Sequence, residues 1–151
     1  MKPALSPVQR LSPGTCSVCA AHEPLDGTLA LSAVCLLVAG VVAATLPTSE
    51  FTVEWRHSVE KTRWQERYRV DAQRLVLISA AIEALGAGME PPPEARFADG
   101  RWTWAPMRLL NELHLTQSPY TAPYVICWNE RCGAVSTLVH DNLQTVTVRA
   151  C

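Results

Sequence analysis

A long stretch without a single charged side chain is the feature that most constrains how this chain can fold. Residues 27–49, GTLALSAVCLLVAGVVAATLPTS, contain no Asp, Glu, Lys or Arg. A helix of ~20 apolar residues is long enough to cross a membrane, whereas helices buried in a soluble core usually keep a polar stripe. The run therefore predicts a transmembrane anchor. A cleaved signal sequence, with Val42-Ala43-Ala44 as a small-residue cleavage site, is the alternative.

The segment before this run has a different composition. Residues 1–26 are rich in Pro, Ser and Ala and lack hydrophobic periodicity, which is typical of a disordered tail. Cys16 and Cys19 form a C-x-x-C motif, but zinc needs four ligands and only His22 is near. We therefore predict no metal site in this tail and no cofactor.

Length and charge exclude some classes of function. The chain has 151 residues, a net charge of −1 and 18% charged residues. This length accommodates about one domain after the tail and the anchor. Because there is no basic excess, the chain has no electrostatic footprint for nucleic acid.

Residues 50–151 show the pattern of short strands separated by turns. Alternating or apolar runs recur at spacings of about 8–12 residues, which is typical of a sandwich or barrel. We predict an all-β domain, a small sandwich or barrel-like fold, preceded by one N-terminal transmembrane helix. The later strands are expected at 75–78, with helix as an alternative over 80–85, then on both sides of Asp99-Gly100, and at 124–127, 132–139 and 143–149.

The first hairpin of this domain carries polar side chains on its apolar face. In residues 51–70, FTVEWRHSVEKTRWQERYRV, a turn at Lys61-Thr62 would place His57 opposite Glu66. Three interpretations follow: a buried polar pair that fixes the register, a ligand or partner site walled by aromatic rings, or a catalytic pair. Ser58 would point to the opposite face and could not serve as a nucleophile for His57. We therefore predict no catalytic residue.

The cysteines give an indication of the cellular compartment in which the domain lies. Cys127 and Cys132 flank a second hairpin, YVICWNERCGAV, where a disulfide could close between facing strands, with a reduced pair as the alternative. Such a bond persists only in an oxidising compartment. We expect Cys35 to pack within the apolar run and Cys151 to be free.

A family resemblance is carried by His57-Ser58-Val59-Glu60, by Trp64 and Glu66, by Gly86-Ala87-Gly88-Met89 and by YVICWNERC. These residues resemble a bacterial family known as domain of unknown function 1850, and the resemblance spans most of residues 50–151. It implies short chains with an apolar N-terminal segment, often encoded beside the fused membrane subunit of TAXI-type TRAP transporters. It implies a role near solute uptake and no biochemical activity.

The resemblance and the pattern together give the functional expectation. We expect a single-pass protein of the bacterial inner membrane whose extracytoplasmic domain, residues 50–151, touches a TRAP-type permease or its solute-binding protein. A small-ligand-binding, redox or enzymatic domain that uses His57 and Glu66, or the cysteines, is the alternative. The candidate ligand or partner site comprises His57, Ser58, Glu60, Trp64, Glu66, Gly86 and Gly88.

Overall fold

The computed structural model describes residues 32–57, 61–84 and 90–151, in which nearly all regular structure is extended. The predicted all-β class is confirmed. In chain order the elements are β1 (Val34–Val38), β2 (Val41–Leu46), β3 (Glu50–Arg56), β4 (Arg63–Asp71), β5 (Arg74–Ile82), β6 (Arg96–Ala98), β7 (Arg101–Trp104), β8 (Arg108–Leu110), β9 (Leu113–Thr116), β10 (Val125–Trp128), β11 (Arg131–Ala134), α1 (Val135–Val139) and β12 (Thr145–Ala150).

These strands form two antiparallel sheets that share one core. The smaller sheet has the order β2-β1-β12-β9, and the larger has the order β11-β10-β3-β4-β5-β7-β6, with β8 also pairing with β5. The core combines apolar side chains of both sheets: Val34, Leu36, Leu46, Leu115, Val146 and Val148 from the smaller, and Phe51, Val53, Tyr68, Leu75, Leu77 and Ile126 from the larger. We define the inner face of the larger sheet as the face that carries Phe51, Val53 and Tyr68.

The predicted transmembrane helix over residues 27–49 is wrong for the part that the structure describes. Residues 34–46 form β1 and β2, and β1 pairs with both β2 and β12. The β domain therefore begins before residue 50. In the described part of the chain, no helix has the length and apolar character needed to cross a membrane.

The apolar run suggested a transmembrane helix because β1 is buried on both faces. All of Val34–Leu37 are buried, so the strand reads as a continuous hydrophobic run without alternation. In β2 two of the exposed positions are large and apolar, since Val41 and Val42 are 70% and 50% exposed. Hydropathy alone could not separate two such strands from one helix.

The turn between β1 and β2 offers a direct test of this correction. Ala39 and Gly40 both have positive φ, 49° and 80°, as a type I′ turn requires, and Asn-Gly is its favoured sequence. We expect Ala39→Asn to raise the free energy of unfolding by ~0.5–1 kcal/mol, because Asn tolerates left-handed φ better than Ala. Urea denaturation of both proteins measures the change.

Ala43→Asn is the matched control, because Ala43 is exposed within β2 and Asn is unfavourable in a strand. The control should be neutral or destabilising. Equal destabilisation by both substitutions would contradict the hairpin.

The predicted register of β3 and β4 is also wrong. Glu66 lies opposite Val53 rather than His57, and Trp55 lies opposite Trp64. The chain does not turn at Lys61-Thr62. Instead, a wider loop is closed by the His57 N–H, which donates to the Thr62 carbonyl at 2.9 Å.

This register aligns two aromatic pairs. Trp55 stacks on Trp64 at 5.6 Å, and Phe51 stacks on Tyr68 at 5.3 Å between ring centroids. Because the shift is an even number of residues, the predicted faces of both strands survive it. Glu66 therefore remains on the inner face.

Of the other local predictions, some are confirmed and others are wrong. The hairpin at Asp99-Gly100 is confirmed between β6 and β7. The strand predicted at 75–78 continues as β5 to Ile82, so the helical alternative over 80–85 does not form within it. The strand predicted over 132–139 ends at Ala134, where α1 begins and buries Val135 and Val139.

Candidate functional site

Glu66 occupies the middle of the inner face, among apolar neighbours. Its direct cross-strand partners are Val53 on β3 and Ala80 on β5. Ile126 lies beyond Val53, and Trp104 lies beyond Ala80. Glu66 is therefore a half-buried carboxylate in a row of otherwise apolar side chains, and ionised groups in such surroundings are costly unless something pairs with them.

One neighbouring hydroxyl fixes the carboxylate. The Tyr68 hydroxyl donates to Glu66 Oε2 at 2.5 Å, and Tyr68 is only 1% exposed. Burial raises the pKa of Tyr68 far above its ordinary value, with further contributions from the hydrogen bond and the charge of Glu66. Tyr68 therefore stays a neutral donor at physiological pH.

A second tyrosine is also close to this charge. Burial raises the pKa of Tyr124, and the negative charge of Glu66 raises it further. Tyr124 lies just before β10 and next to Trp55, with ring centroids 6.0 Å apart. The carboxylate thus has a phenol on its own strand and another from β10's side of the sheet.

No described cation neutralises Glu66. The ion pairs among the described residues are Arg63–Glu83, Arg67–Glu50 and His114–Glu112. The charge of Arg108 lowers the pKa of Tyr68, against the larger raising effects of burial and Glu66. Within the described part of the chain, the carboxylate has a hydrogen bond and no salt bridge.

Four aromatic rings, from four strands or their ends, contact one another in series on the same sheet as Glu66. Trp55 and Trp64 stack with an interplanar angle of 17°, and Trp104 meets Trp64 edge-on at 6.4 Å and 84°. These rings and Tyr124 are all half-buried. We call Trp55, Trp64, Trp104 and Tyr124 the aromatic cluster.

One polar atom of the aromatic cluster lacks a partner. Trp64 Nε1 is buried and makes no hydrogen bond with any part of the described chain. A buried N–H that bonds to nothing costs free energy, so this donor is a second group at the site whose bonding capacity is unused.

The predicted site residues are only partly brought together. Trp64 and Glu66 share the inner face, as their spacing requires. His57 follows the last residue of β3, is half-buried and does not face Glu66. Ser58, Glu60, Gly86 and Gly88 lie outside the described residues. Sequence reasoning missed Tyr68 as a donor, and it also missed Trp104 and Tyr124.

The missed residues differ in whether the sequence could have predicted them. Tyr68 follows Glu66 at the strand period of two, so the same face could have been searched for donors. Trp104 and Tyr124 reach the site only because β7 and β10 join this sheet at β5 and β3. That order leaves no signal in the local sequence.

Two disulfides join cysteines of the described residues. Cys127 and Cys132 are bonded across the β10–β11 hairpin, in the pairing that its spacing suggested. Cys35 and Cys151 form the other bond, so the expectations that Cys35 merely packs and that Cys151 is free are wrong. The β1–β12 pairing brings these two cysteines together from distant parts of the sequence.

A hydrogen-bonded Thr–His–Glu chain occurs on the smaller sheet. His114 Nδ1 lies 3.2 Å from Thr147 Oγ1, and His114 Nε2 lies 3.1 Å from Glu112. The His114 and Glu112 side chains are 56% and 43% exposed, so this chain of contacts is open to solvent. Such an exposed chain lacks the dry, preorganised surroundings of an active site.

Metal binding finds no support in the described residues. Within 32–57, 61–84 and 90–151, no three His, Cys, Asp or Glu side chains are grouped closely enough to hold an ion. Cys16 and Cys19 lie outside these ranges.

The ionisation of Tyr68 gives a testable pH dependence. A raised pKa in the folded state means that its stabilising contribution is complete below the unfolded pKa of ~10 and is lost as the pH rises above it. We expect the free energy of unfolding to fall by up to ~1.4 kcal/mol per pH unit above 10 from this group. Urea denaturation at pH 8 and pH 11 measures the loss.

Tyr68→Phe is the variant that isolates this effect, because it removes the ionisable hydroxyl and keeps the ring. The variant should lose less stability between pH 8 and pH 11 than the unmodified protein. Identical losses would show that other groups carry the alkaline sensitivity.

Comparison with known proteins gives one match. The model of a family described as a domain of unknown function, DUF1850, matches residues 51–134. This range runs from β3 to β11 and contains Glu66, Tyr68 and the whole aromatic cluster. A search of the curated proteins found no match, and a search of the solved structures found none either.

Proposed function

This chain belongs to the DUF1850 family, and we propose that it is an extracytoplasmic, non-catalytic accessory domain of a TAXI-type TRAP transporter that binds a small solute at Glu66. The transporter assignment comes from what the family resemblance implies. The binding role comes from the site itself.

The observation that carries the binding role is the state of Glu66. A half-buried carboxylate on an apolar face, with one hydrogen bond and no salt bridge to described residues, is an unfavourable way to build a core. A purely structural position there would favour an aliphatic side chain like its neighbours Val53 and Ala80. A ligand that pairs with the carboxylate accounts for its presence.

The absence of turnover in this proposal rests on the chemistry of the site. Glu66 and the neutral phenol of Tyr68 can bind and orient a ligand. The described side chains around them supply no hydroxyl or thiol positioned against a base, which covalent catalysis needs. His57, the base that the sequence suggested, does not face the carboxylate.

The extracytoplasmic location rests on the two disulfides. Such bonds persist in oxidising compartments and are rare where thiols are kept reduced. A domain on the outer side of the bacterial inner membrane is placed to meet a permease or its solute-binding protein.

The accessory role is tested by isolation of the tagged full-length chain from native membranes in mild detergent, followed by mass spectrometry. We expect enrichment of a TRAP-type permease or its solute-binding protein over a tagged, unrelated exported domain. Recovery of the chain with neither partner would overturn the transporter assignment.

Substitution of Glu66 distinguishes a binding role from a structural one. Glu66→Gln keeps an oxygen that can accept the Tyr68 hydrogen bond and removes only the charge. We expect the free energy of unfolding to change by less than ~0.5 kcal/mol, because the substitution removes a charge that has no ion pair among the described residues and keeps the hydrogen bond. Thermal and urea denaturation measure this, together with solute uptake by cells that depend on the transporter.

Glu54→Gln is the control, since Glu54 accepts a hydrogen bond from Gln65 on the opposite face of the same hairpin. Uptake should fall with Glu66→Gln and persist with Glu54→Gln. A loss of stability of ~1–3 kcal/mol, with uptake falling only in proportion to protein level, would make Glu66 a structural residue.

A further inference from the structure

We propose that the solute bound at Glu66 is a small alkylated ammonium compound that also carries a hydrogen-bond acceptor oxygen, an inference that rests on the proposed binding function. Three features of the site lead to this class: a charge with no ion pair among the described residues, the arrangement of the rings, and a donor with no partner among those residues.

The charge selects the sign of the ligand. Glu66 has no salt bridge among the described residues. An anionic ligand would be repelled by the Glu66 carboxylate, because no described cation pairs with that carboxylate. A cation would supply the missing pair in surroundings where Val53 and Ala80 keep the local dielectric low.

The rings select the kind of cation. Ring faces of Trp, and less strongly of Tyr, attract cations, and weakly hydrated alkylated ammonium groups are the usual guests of aromatic cages. The aromatic cluster presents rings in different planes, since Trp104 stands at 84° to Trp64 and Tyr124 at 46° to Trp55. Rings inclined in this way can contact a rounded alkylammonium group from more than one direction, which parallel rings cannot do.

The same geometry argues against two other ligand classes. Trp55 and Trp64 already stack on each other at 5.6 Å, so a planar aromatic ligand cannot enter between them. A sugar needs many polar partners for its hydroxyls, whereas the row around Glu66 is made of Val53, Ala80, Ile126 and Trp104.

The indole N–H of Trp64 suggests that the ligand also carries a hydrogen-bond acceptor. Trp64 Nε1 is buried without a partner in the described chain, and it belongs to a ring of the aromatic cluster. A simple tetraalkylammonium ion would leave this N–H unbonded. A ligand hydroxyl near the ammonium group could accept from Trp64 Nε1 while the cation pairs with Glu66.

The test is titration of the full-length protein, followed by tryptophan fluorescence and calorimetry at low ionic strength. The probes are choline, its uncharged carbon isostere 3,3-dimethyl-1-butanol, glucose and acetate. We expect choline to bind, and the isostere to bind at least ~tenfold more weakly because it lacks the charge. Glu66→Gln should weaken choline by a similar factor, and Glu54→Gln should leave it unchanged.

Each other outcome has a distinct meaning. Equal binding of choline and its isostere overturns the ammonium class. Binding of glucose or acetate that depends on Glu66 also overturns that class, while the proposed binding function stands. If no probe binds and the permease still co-purifies, both the ligand class and the binding role fail and the accessory role remains.

The acceptor is tested separately by Trp64→Phe, which keeps a ring and removes the N–H. Choline should bind several-fold more weakly to this variant, and tetramethylammonium should change less, because it has no acceptor to lose. Equal loss for both cations would overturn the acceptor part of the inference.

Discussion

Replacing Cys151 with serine is expected to lower the free energy of unfolding by ~4–5 kcal/mol, which is the stabilisation that closure of a loop of roughly a hundred residues contributes in the chain-entropy account. Cys35 and Cys151 are separated by 116 residues, so their bond greatly restricts the unfolded chain. It joins the first described strand to the residue that follows the last one. Urea denaturation without reductant measures the loss.

Cys132→Ser provides the comparison, because Cys127 and Cys132 are separated by only 5 residues. Closure of such a short loop restricts the unfolded chain much less, and its loss is expected to cost ~2 kcal/mol. Addition of dithiothreitol should bring the unmodified protein below both single variants. Equal losses for the two variants would contradict the loop-length argument.

The Cys35–Cys151 disulfide shows how one wrong prediction led to another. A membrane helix over residues 27–49 would hold Cys35 inside the bilayer and far from Cys151. Once residues 34–46 are strands, β1 lies beside β12, where Cys35 pairs with Arg149 across the ladder. The long-range bond follows from that pairing and could not be seen while the helix was assumed.

The faces of β3 and β4 could be predicted because side chains alternate with a period of two, whichever residues pair. Trp64, Glu66 and Tyr68 were therefore placed on one face correctly. The register needed the loop length as well. A turn at Lys61-Thr62 was predicted, but the chain turns through a wider loop and aligns Trp55 with Trp64.

The composition of the site lay beyond local sequence patterns. Tyr124 and Trp104 share a sheet with Glu66 because β10 and β7 are added beside β3 and β5. Strand order depends on which edges pair after collapse, and no spacing within the chain encodes it. The carboxylate was thus predictable as a candidate, and its aromatic surroundings were predictable only in part.

Phe51→Ala is expected to lower the free energy of unfolding by ~3–5 kcal/mol, as removal of a buried aromatic ring usually does. Phe51 is 2% exposed and stacks on Tyr68 at 15°. It belongs to the core in which the two sheets meet, so the deletion leaves a cavity that rigid strands on both sides cannot fill. Urea denaturation at pH 7 measures the change.

The chain supplies its own control, because Phe51 and Phe97 are its two phenylalanines. Phe97 is 60% exposed and contacts Trp102 at 5.3 Å on the outlying β6–β7 hairpin. Phe97→Ala should cost less than ~1 kcal/mol, because most of its surface is already in water. Similar small losses for both variants would mean that the sheets do not share a core at Phe51, and the support that Tyr68 gives to Glu66 would then need another source.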